Sequence, residues 1–451
     1  MENLIKDSHA KQPAWANKPL RTTRRGHFWI AGERLKIGNQ TYQRGPMYVS
    51  WEAPEEVTKK YPVILIHGGT LQGTEWLDTP DGRPGWAQRF IENGYPVFII
   101  DRPGHGRSPY HNDIIGPMGP AFSYERGQEV YFPADAADVQ TQWPFKSSDH
   151  DAFDSFIAPY GPMPTDLAQS QDMDADRLCR LLDRIGPAIL VTHSASGPDG
   201  WLVADRRPGL VAAIVSIEPM GPVFGTTPGI GTLSWGITTA PVTYEPSRLS
   251  PEEVMAASPE SLKIPALRDV PVALVTGETS IFASFAPEIV KFLVNAGAAA
   301  EELHLPDFGI RGNGHGLIYE LNSDEALQLV LDWLDKKIPQ EGSGSGTIAN
   351  QTSSSNCTVF VIYEGEPASR FDRKYYRNKH IPMLDVAWAK YGLEKVEDLY
   401  PSDEKGNIIA MAVCTFRNKA AAETAFNSPE SKAVMEDIVN YTDITPLKIM
   451  V

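Results

Sequence analysis

Short apolar runs closed by glycine turns recur along the first three quarters of the chain, and they predict the buried strands of a parallel sheet. Pro62-Val-Ile-Leu-Ile-His67-Gly68-Gly69-Thr70 and Pro96-Val-Phe-Ile-Ile-Asp101 are two such runs, separated by a stretch with helical spacing. A third, Ala188-Ile-Leu-Val-Thr192-His193, leads into Ser194-Ala195-Ser196 and then into Gly197-Pro198, which open a helical pattern. Val211 to Ile217, Val272 to Thr276 and the segment Glu302-Leu-His304-Leu extend the series. Runs this short that alternate with helical patterns read as strands covered by helices on both faces. An amphipathic helix from Asp324 to Lys337, with Leu327, Val330, Leu331 and Leu334 among its apolar positions, closes this part of the chain.

The third run carries chemistry. A serine at the tip of a strand-to-helix turn is a nucleophile elbow, in which the residues two before and two after the serine are small so that the strained turn closes. Those positions hold Thr192 and Ser196 where the consensus has glycine, and Ser196 is the rival nucleophile. Acyl transfer also needs two backbone N–H groups aimed at the developing oxyanion. The glycine turn after the first run supplies one from Gly69, and the residue after the nucleophile, Ala195, supplies the other. His315 lies free of strand pairing in the glycine-rich loop Arg311-Gly-Asn-Gly-His315-Gly316, which makes it the general base for Ser194. His67 and His105 read as loop braces, and His304 as a packed strand residue. Two carboxylates follow strands of the right kind, Glu218 and Glu278, and either one orients an imidazole.

Together His67-Gly-Gly, Asp101-Arg-Pro-Gly-His-Gly-Arg-Ser108 and His193-Ser194-Ala195-Ser196-Gly197 resemble the α/β-hydrolase family over about residues 25 to 338. The resemblance implies a mostly parallel eight-stranded sheet with helices on both faces, the nucleophile after strand five and the histidine near the end. The usual place for the acid is after strand seven, which favours Glu278. Ser216-Ile-Glu218-Pro219, Met47-Tyr-Val-Ser and Thr79-Pro-Asp-Gly-Arg-Pro-Gly-Trp86-Ala are similar to a branch of bacterial esterases with a Ser-His-Glu triad and the glutamate after strand six. Glu218 is therefore the preferred acid and Glu278 the alternative. The expected function is a serine hydrolase that cleaves an ester or lactone through an acyl-enzyme on Ser194.

Two long segments, about 110–165 and 220–263, lack strong periodicity and are expected as caps over residues 1–340. The first carries Phe132, Trp143, Phe145, Phe153 and Tyr160, the second Phe224, Trp235 and Tyr244. These aromatics either line an apolar substrate pocket or fasten the loops to the sheet. A glycine- and serine-rich linker follows at 341–356. From 357 to 451 the order is β-α-β-β-α-β, a ferredoxin-like α+β domain. Its segment Phe371-Asp-Arg-Lys-Tyr-Tyr-Arg-Asn-Lys-His380-Ile-Pro382-Met resembles the EthD family of dimeric α+β barrels. That resemblance implies a homodimer and allows a second reading, in which this domain carries a lyase- or cyclase-type activity on an aromatic or polyketide-like compound. His380 reads as an acid or base in a pocket, or as a helix-face histidine bonded to its neighbours.

A formal net charge of −16 over 451 residues, with no long basic run, argues against nucleic acid and anionic membranes as partners. Acidity also favours neutral substrates. Cys179, Cys357 and Cys414 are too few for a disulfide framework or a zinc cluster. No run reaches the length of a membrane span and the first residues lack a signal-peptide core, so a cytoplasmic protein is expected. Neither glycine-rich loop has phosphate- or dinucleotide-binding spacing, and no cofactor or metal is expected.

Overall fold

The computed structural model describes residues 20–227, 231–338, 357–366, 369–400, 407–417 and 419–450. The chain forms two compact units, Met1–Gln340 and Glu341–Val451. The first residues and the linker at 341–356 lie outside the described residues.

The first unit is built on an eight-stranded sheet. Its strands are β1 (Thr23–Ile30), β2 (Met47–Pro54), β3 (Val63–Ile66), β4 (Val97–Asp101), β5 (Ala188–His193), β6 (Val211–Ile217), β7 (Pro271–Thr276) and β8 (Ala299–His304). Their spatial order is β1-β2-β4-β3-β5-β6-β7-β8. Strands β3 to β8 run parallel, while β1 pairs antiparallel with β2, and β2 with β4. This is the α/β-hydrolase arrangement. Every residue of β3 and β5 is buried, because helices cover both faces. Leu178 and Leu182 of α4 (Leu167–Ile185), Trp201 and Leu202 of α5 (Gly197–Arg206), and Ile289 and Leu293 of α6 (Ala286–Ala296) fill one core. Trp86 and Phe90 of α1 (Trp86–Glu92) and Leu327, Leu331 and Trp333 of α7 (Ser323–Lys337) fill the other. Each such side chain contributes roughly 1.5–3 kcal/mol of burial.

Local chemistry sets the helix ends that matter here. Asp166 caps α4 by accepting from the Gln169 N–H, and Gly186, at φ +84°, ends that helix. At α5 the first position must be glycine, since a Cβ on Gly197 would stand 2.8 Å from Cβ of Pro219.

Arg24 and Arg25 belong to edge strand β1, opposite Ala53 and Glu52. One expectation changes. The stretch 110–165 is not irregular throughout, since it contains α2 (Tyr124–Tyr131) and α3 (His150–Ile157), capped by Ser123 and Asp149. Its aromatics pack on one another, with Phe132 4.8 Å from Trp143 and 5.6 Å from Phe153, and Phe156 5.5 Å from Tyr160. From the second stretch, Trp235 and Tyr244 are buried in the core beside α6, and the Tyr244 hydroxyl donates to the Trp235 carbonyl at 2.6 Å.

The second unit has an antiparallel sheet of β9 (Cys357–Glu364), β10 (Leu393–Leu399), β11 (Ile408–Phe416) and β12 (Leu447–Met450), ordered β10-β11-β9-β12. Helices α8 (Ile381–Trp388), α9 (Lys419–Phe426) and α10 (Pro429–Asp437) accompany it. Val359, Tyr363, Ala410, Ala412 and Cys414 share a buried cluster with Leu384, Trp388 and Val434 of the helices. The alternating partners Phe360↔Val413 and Ile362↔Met411 therefore belong to the opposite face.

Candidate functional site

Parallel strands deliver their carboxyl ends to one edge of the sheet, and the loops after β3, β5, β6 and β8 meet there. Ser194 follows β5 with φ +56°, Glu218 follows β6 with φ +49°, and Thr70 follows the glycine turn after β3 with φ +61°. All three occupy left-handed backbone that a side chain disfavours, a strain that surrounding structure must hold in place.

The loop after β8 brings the His315 Nε2 within 3.1 Å of the Ser194 Oγ. On the other side of the ring, Nδ1 faces the Glu218 Oε2 at 3.7 Å, and neither atom has another partner among the described residues. The other Glu218 oxygen, Oε1, accepts the Gly277 N–H at 2.5 Å, which fixes the carboxylate plane. Burial pushes the Glu218 carboxyl up to about 8 and pulls the His315 imidazole well down, the latter helped by the neighbouring His193 ring and the Arg126 guanidinium. Both shifts disfavour isolated charge, so the imidazole is neutral at rest and ready to accept a proton.

Glu278 lies elsewhere. It pairs with the Arg311 Nη1 at 2.8 Å and accepts the Gly312 N–H at 2.8 Å, so it anchors the start of the histidine loop and makes no contact with His315 among those described. Ser196 is likewise set apart, since its buried hydroxyl is taken up by the His193 carbonyl at 2.9 Å and the Ile66 carbonyl at 3.1 Å. Thr192, where the elbow consensus has glycine, satisfies its hydroxyl against the Ser216 Oγ at 2.8 Å on the neighbouring strand. Gly69 and Ala195 come together as well: a Cβ added to Gly69 would stand 3.0 Å from the Ala195 Cβ. His67 accepts the Arg102 N–H at 2.9 Å, and the His304 Nδ1 lies 3.0 Å from the Thr276 hydroxyl. Among the described residues no group of three or more His, Cys, Asp or Glu is placed to hold a metal ion.

Over 339 residues, 69% of this chain and 89% of the relative, the sequence is 35% identical to the probable secreted lipase phiG of a fungal species. A family model described as the alpha/beta hydrolase fold matches residues 61–235. The chain belongs to the α/β-hydrolase family. A solved bacterial esterase shares the fold, with a TM-score of 0.54 and 24% identity, covering 71% of this chain and 98% of the esterase. An EthD-like protein of Ralstonia eutropha covers 22% of this chain and 92% of its own length at 23% identity, with a TM-score of 0.20.

Within this α/β hydrolase the structure adds residues that sequence reasoning missed. Glu75 is buried behind the site: its Oε1 accepts the Gly68 N–H at 3.1 Å, and its Oε2 lies 3.3 Å from the His193 Nδ1 and 3.4 Å from the Tyr319 hydroxyl. His193 in turn reaches the His315 carbonyl at 3.3 Å through Nε2 and stacks on the His315 ring at 5.0 Å. One carboxylate thus ties the glycine turn, the elbow and the histidine loop together. Glu320 does similar work for the loop itself, accepting from the Gly314 N–H at 2.9 Å and the Asn313 amide at 2.7 Å. Phe282 stacks on His315 at 4.3 Å. A cavity of about 260 Å3 lies beside the glycine turn, lined in part by Leu71, Thr74, Phe156, Tyr160 and Tyr319.

Proposed function

We propose that this protein is a serine hydrolase that cleaves a carboxylic ester or lactone of an apolar small molecule through an acyl-enzyme on Ser194. The observation that carries the reading is the 3.1 Å contact between the Ser194 Oγ and the His315 Nε2, with Glu218 behind the ring. In this mechanism Oγ attacks the carbonyl carbon while Nε2 takes its proton, and the carbonyl π pair moves to oxygen. The N–H groups of Gly69 and Ala195 donate to that oxyanion. Collapse expels the alkoxide, which takes the proton from Nε2 and leaves as an alcohol, or stays tethered if the substrate is a lactone. Water then attacks the acyl-serine, gives its proton to Nε2, and the proton returns to Oγ as the acid departs. Glu218 holds the Nδ1–H and stabilises the imidazolium; its 3.7 Å separation shortens as charge develops on the ring. We assign the apolar part of the substrate to the cavity beside the glycine turn, whose walls carry Leu71, Phe156, Tyr160 and Tyr319 together with the polar Thr74, Glu75 and Asp78.

Fluorophosphonate labelling of the intact protein, with the modified peptide located by mass spectrometry, tests the reading. Label confined to Ser194 and lost in Ser194→Ala is the expected result; label on Ser196, or none, would overturn it.

Assembly and compartment belong to the same proposal. The sheet face of the second unit that carries Phe360, Ile362, Met411 and Val413 suits a second copy of the chain, so sedimentation is expected to give a dimer. Cys179 and Cys414 are buried free thiols, which fits a cytoplasmic enzyme. The fungal relative is named as secreted, and comparing activity in cells and medium decides between the two.

A further inference from the structure

Arg102, the first residue after β4, is buried with its guanidinium between two helices and the glycine turn. Its Nη1 lies 3.1 Å from the Asp174 Oδ2 of α4 and 3.7 Å from the Asp199 Oδ2 of α5, and both carboxylates are buried. Its Nη2 donates to the Gly68 carbonyl at 3.1 Å. That carbonyl belongs to the peptide whose N–H is the Gly69 donor. The same oxygen lies 2.8 Å from the His67 Nδ1. Because the His67 Nε2 accepts the Arg102 backbone N–H at 2.9 Å, the neutral ring carries its hydrogen on Nδ1 and donates it to Gly68. Burial first, and then the Arg102 charge, hold this imidazole well below its ordinary value, which keeps it neutral. The Gly68 N–H is taken by Glu75, whereas the Gly69 N–H makes no hydrogen bond among the described residues.

As an ion-pair network the cluster is poorly completed. The Arg102 Nε and both Asp199 oxygens have no hydrogen-bond partner among the described residues. A buried pair of this kind is weak support for stability. The arginine does make a charge-assisted bond to a carbonyl that His67 already satisfies. Positive charge at the oxygen of a peptide draws electron density away from its N–H and makes that hydrogen a better donor. In a buried setting such polarisation passes along the chain of hydrogen bonds with little screening.

We propose that Arg102 is a positioning residue of the oxyanion site, which through the Gly68 carbonyl orients and polarises the peptide whose N–H, that of Gly69, receives the developing negative charge. The inference rests on the reading of Ser194 as nucleophile and Gly69 as donor. His67 holds the plane of the peptide and Arg102 adds charge at its carbonyl end, while Asp174 and Asp199 hold the guanidinium from the helices before and after the elbow strand.

Phenyl trifluoromethyl ketone, labelled with 13C at the carbonyl, tests the assignment on the full chain. The Ser194 Oγ bonds to the carbonyl carbon, the π pair moves to oxygen and the hydroxyl proton passes to the His315 Nε2, so an oxyanion stands where that of an ester would form. The 13C shift followed against pH gives the midpoint at which this oxygen takes up a proton. Arg102→Met is made together with Asp174→Asn, so that the carboxylate on the guanidinium is not left unpaired, and is compared with Asp174→Asn alone. Removing the arginine is expected to raise the midpoint by about one pH unit and to lower kcat for a p-nitrophenyl ester about tenfold, the same factor read twice. KM should stay within about twofold. The loss is a fraction of the roughly 10^2–10^3 that goes with a whole oxyanion donor. Asp174→Asn alone leaves the guanidinium less neutralised and is expected to lower the midpoint. Arg102→Lys keeps the charge and should hold kcat within about threefold of the parent. An unmoved midpoint in the double variant, a raised one in Asp174→Asn, or a lysine variant as slow as the double variant overturns the proposal. The Asp174→Asn arm stands even if melting curves show that the double variant does not fold. Any of these outcomes with Ser194 still labelled by fluorophosphonate removes the role of Arg102 alone, and a parent that takes no label on Ser194 removes the nucleophile with it.

Discussion

Replacing Glu218 by Gln tests the proposed acid without changing its shape. Because the Glu218 Oε1 accepts the Gly277 N–H at 2.5 Å, the glutamine carbonyl must take that place and its NH2 must turn to the position of Oε2, 3.7 Å from the His315 Nδ1. An NH2 group there presents hydrogen to Nδ1, so the ring is held as the tautomer with hydrogen on Nε2. That nitrogen then donates to Ser194 instead of accepting its proton. A serine triad forced into the wrong tautomer loses about 10^4 in kcat, close to 5 kcal/mol of transition-state stabilisation. KM for a p-nitrophenyl ester should move little, since no substrate contact is lost. The control is Glu278→Gln, which keeps one acceptor for Arg311 or the Gly312 N–H and lies away from the ring; kcat should stay within about threefold, because exposed ion pairs contribute about 1 kcal/mol or less. Stopped-flow burst kinetics and steady-state kcat on both variants decide the matter. A Glu218→Gln enzyme within tenfold of the parent would refute the assignment, and a collapse of Glu278→Gln instead would move the acid to the end of β7.

The limb of kcat/KM set by His315 should lie well below pH 6.5, because its active form is the neutral imidazole and burial lowers its folded pKa, while the ionised Glu218 that stabilises the imidazolium is lost as pH falls through about 8, the value to which burial raises its carboxyl; a profile from pH 4 to 9 that stays flat between 6.5 and 9 would contradict this. Glu75→Gln should lower kcat by about tenfold while leaving fluorophosphonate labelling specific to Ser194, since the amide keeps one acceptor for the Gly68 N–H but weakens the hold on His193. A merely structural Glu75 would change the melting temperature and leave the pH profile of the surviving activity in place, so a shifted acid limb in this variant distinguishes positioning from packing.

What could be read from the sequence, and what could not, divides along one physical line. In a parallel sheet each strand ends at the same edge, so a reactive residue just past an apolar run is placed by the run itself. Ser194, Glu218, Glu278 and His315 all follow strands, and their loops were identifiable from the glycines and from the change in periodicity. Strand position alone left two carboxylates, and the preference for Glu218 came from the likeness to the esterase branch; the Gly277 N–H that Glu218 accepts lies 59 positions away and left no trace in the pattern. The edge strand β1 left no long apolar run to read, because Arg24 and Arg25 face solvent on an antiparallel edge, where polar residues are ordinary.

Residues that act across chain segments left no such trace. Glu75 lies 118 positions from His193 and 244 from Tyr319, and in sequence it is one carboxylate in a polar turn. His380 stood out beside its proline, yet Asp437, 57 positions later, gave no sign that it would fix the imidazole tautomer. The aromatics of the first cap segment were ambiguous for a related reason, since composition is the same whether rings meet a substrate or one another. Their distances settle most of it: Phe132, Trp143 and Phe153 fasten the cap, while Phe156 and Tyr160 also reach the cavity. Strand ends place the groups that react, and buried contacts between distant segments determine how rigidly those groups are held. The Glu75 variant therefore bears on the second half of that division and the Glu218 variant on the first. Similar losses in both, with the burst amplitude preserved, would mean that holding the histidine loop matters as much as supplying its carboxylate.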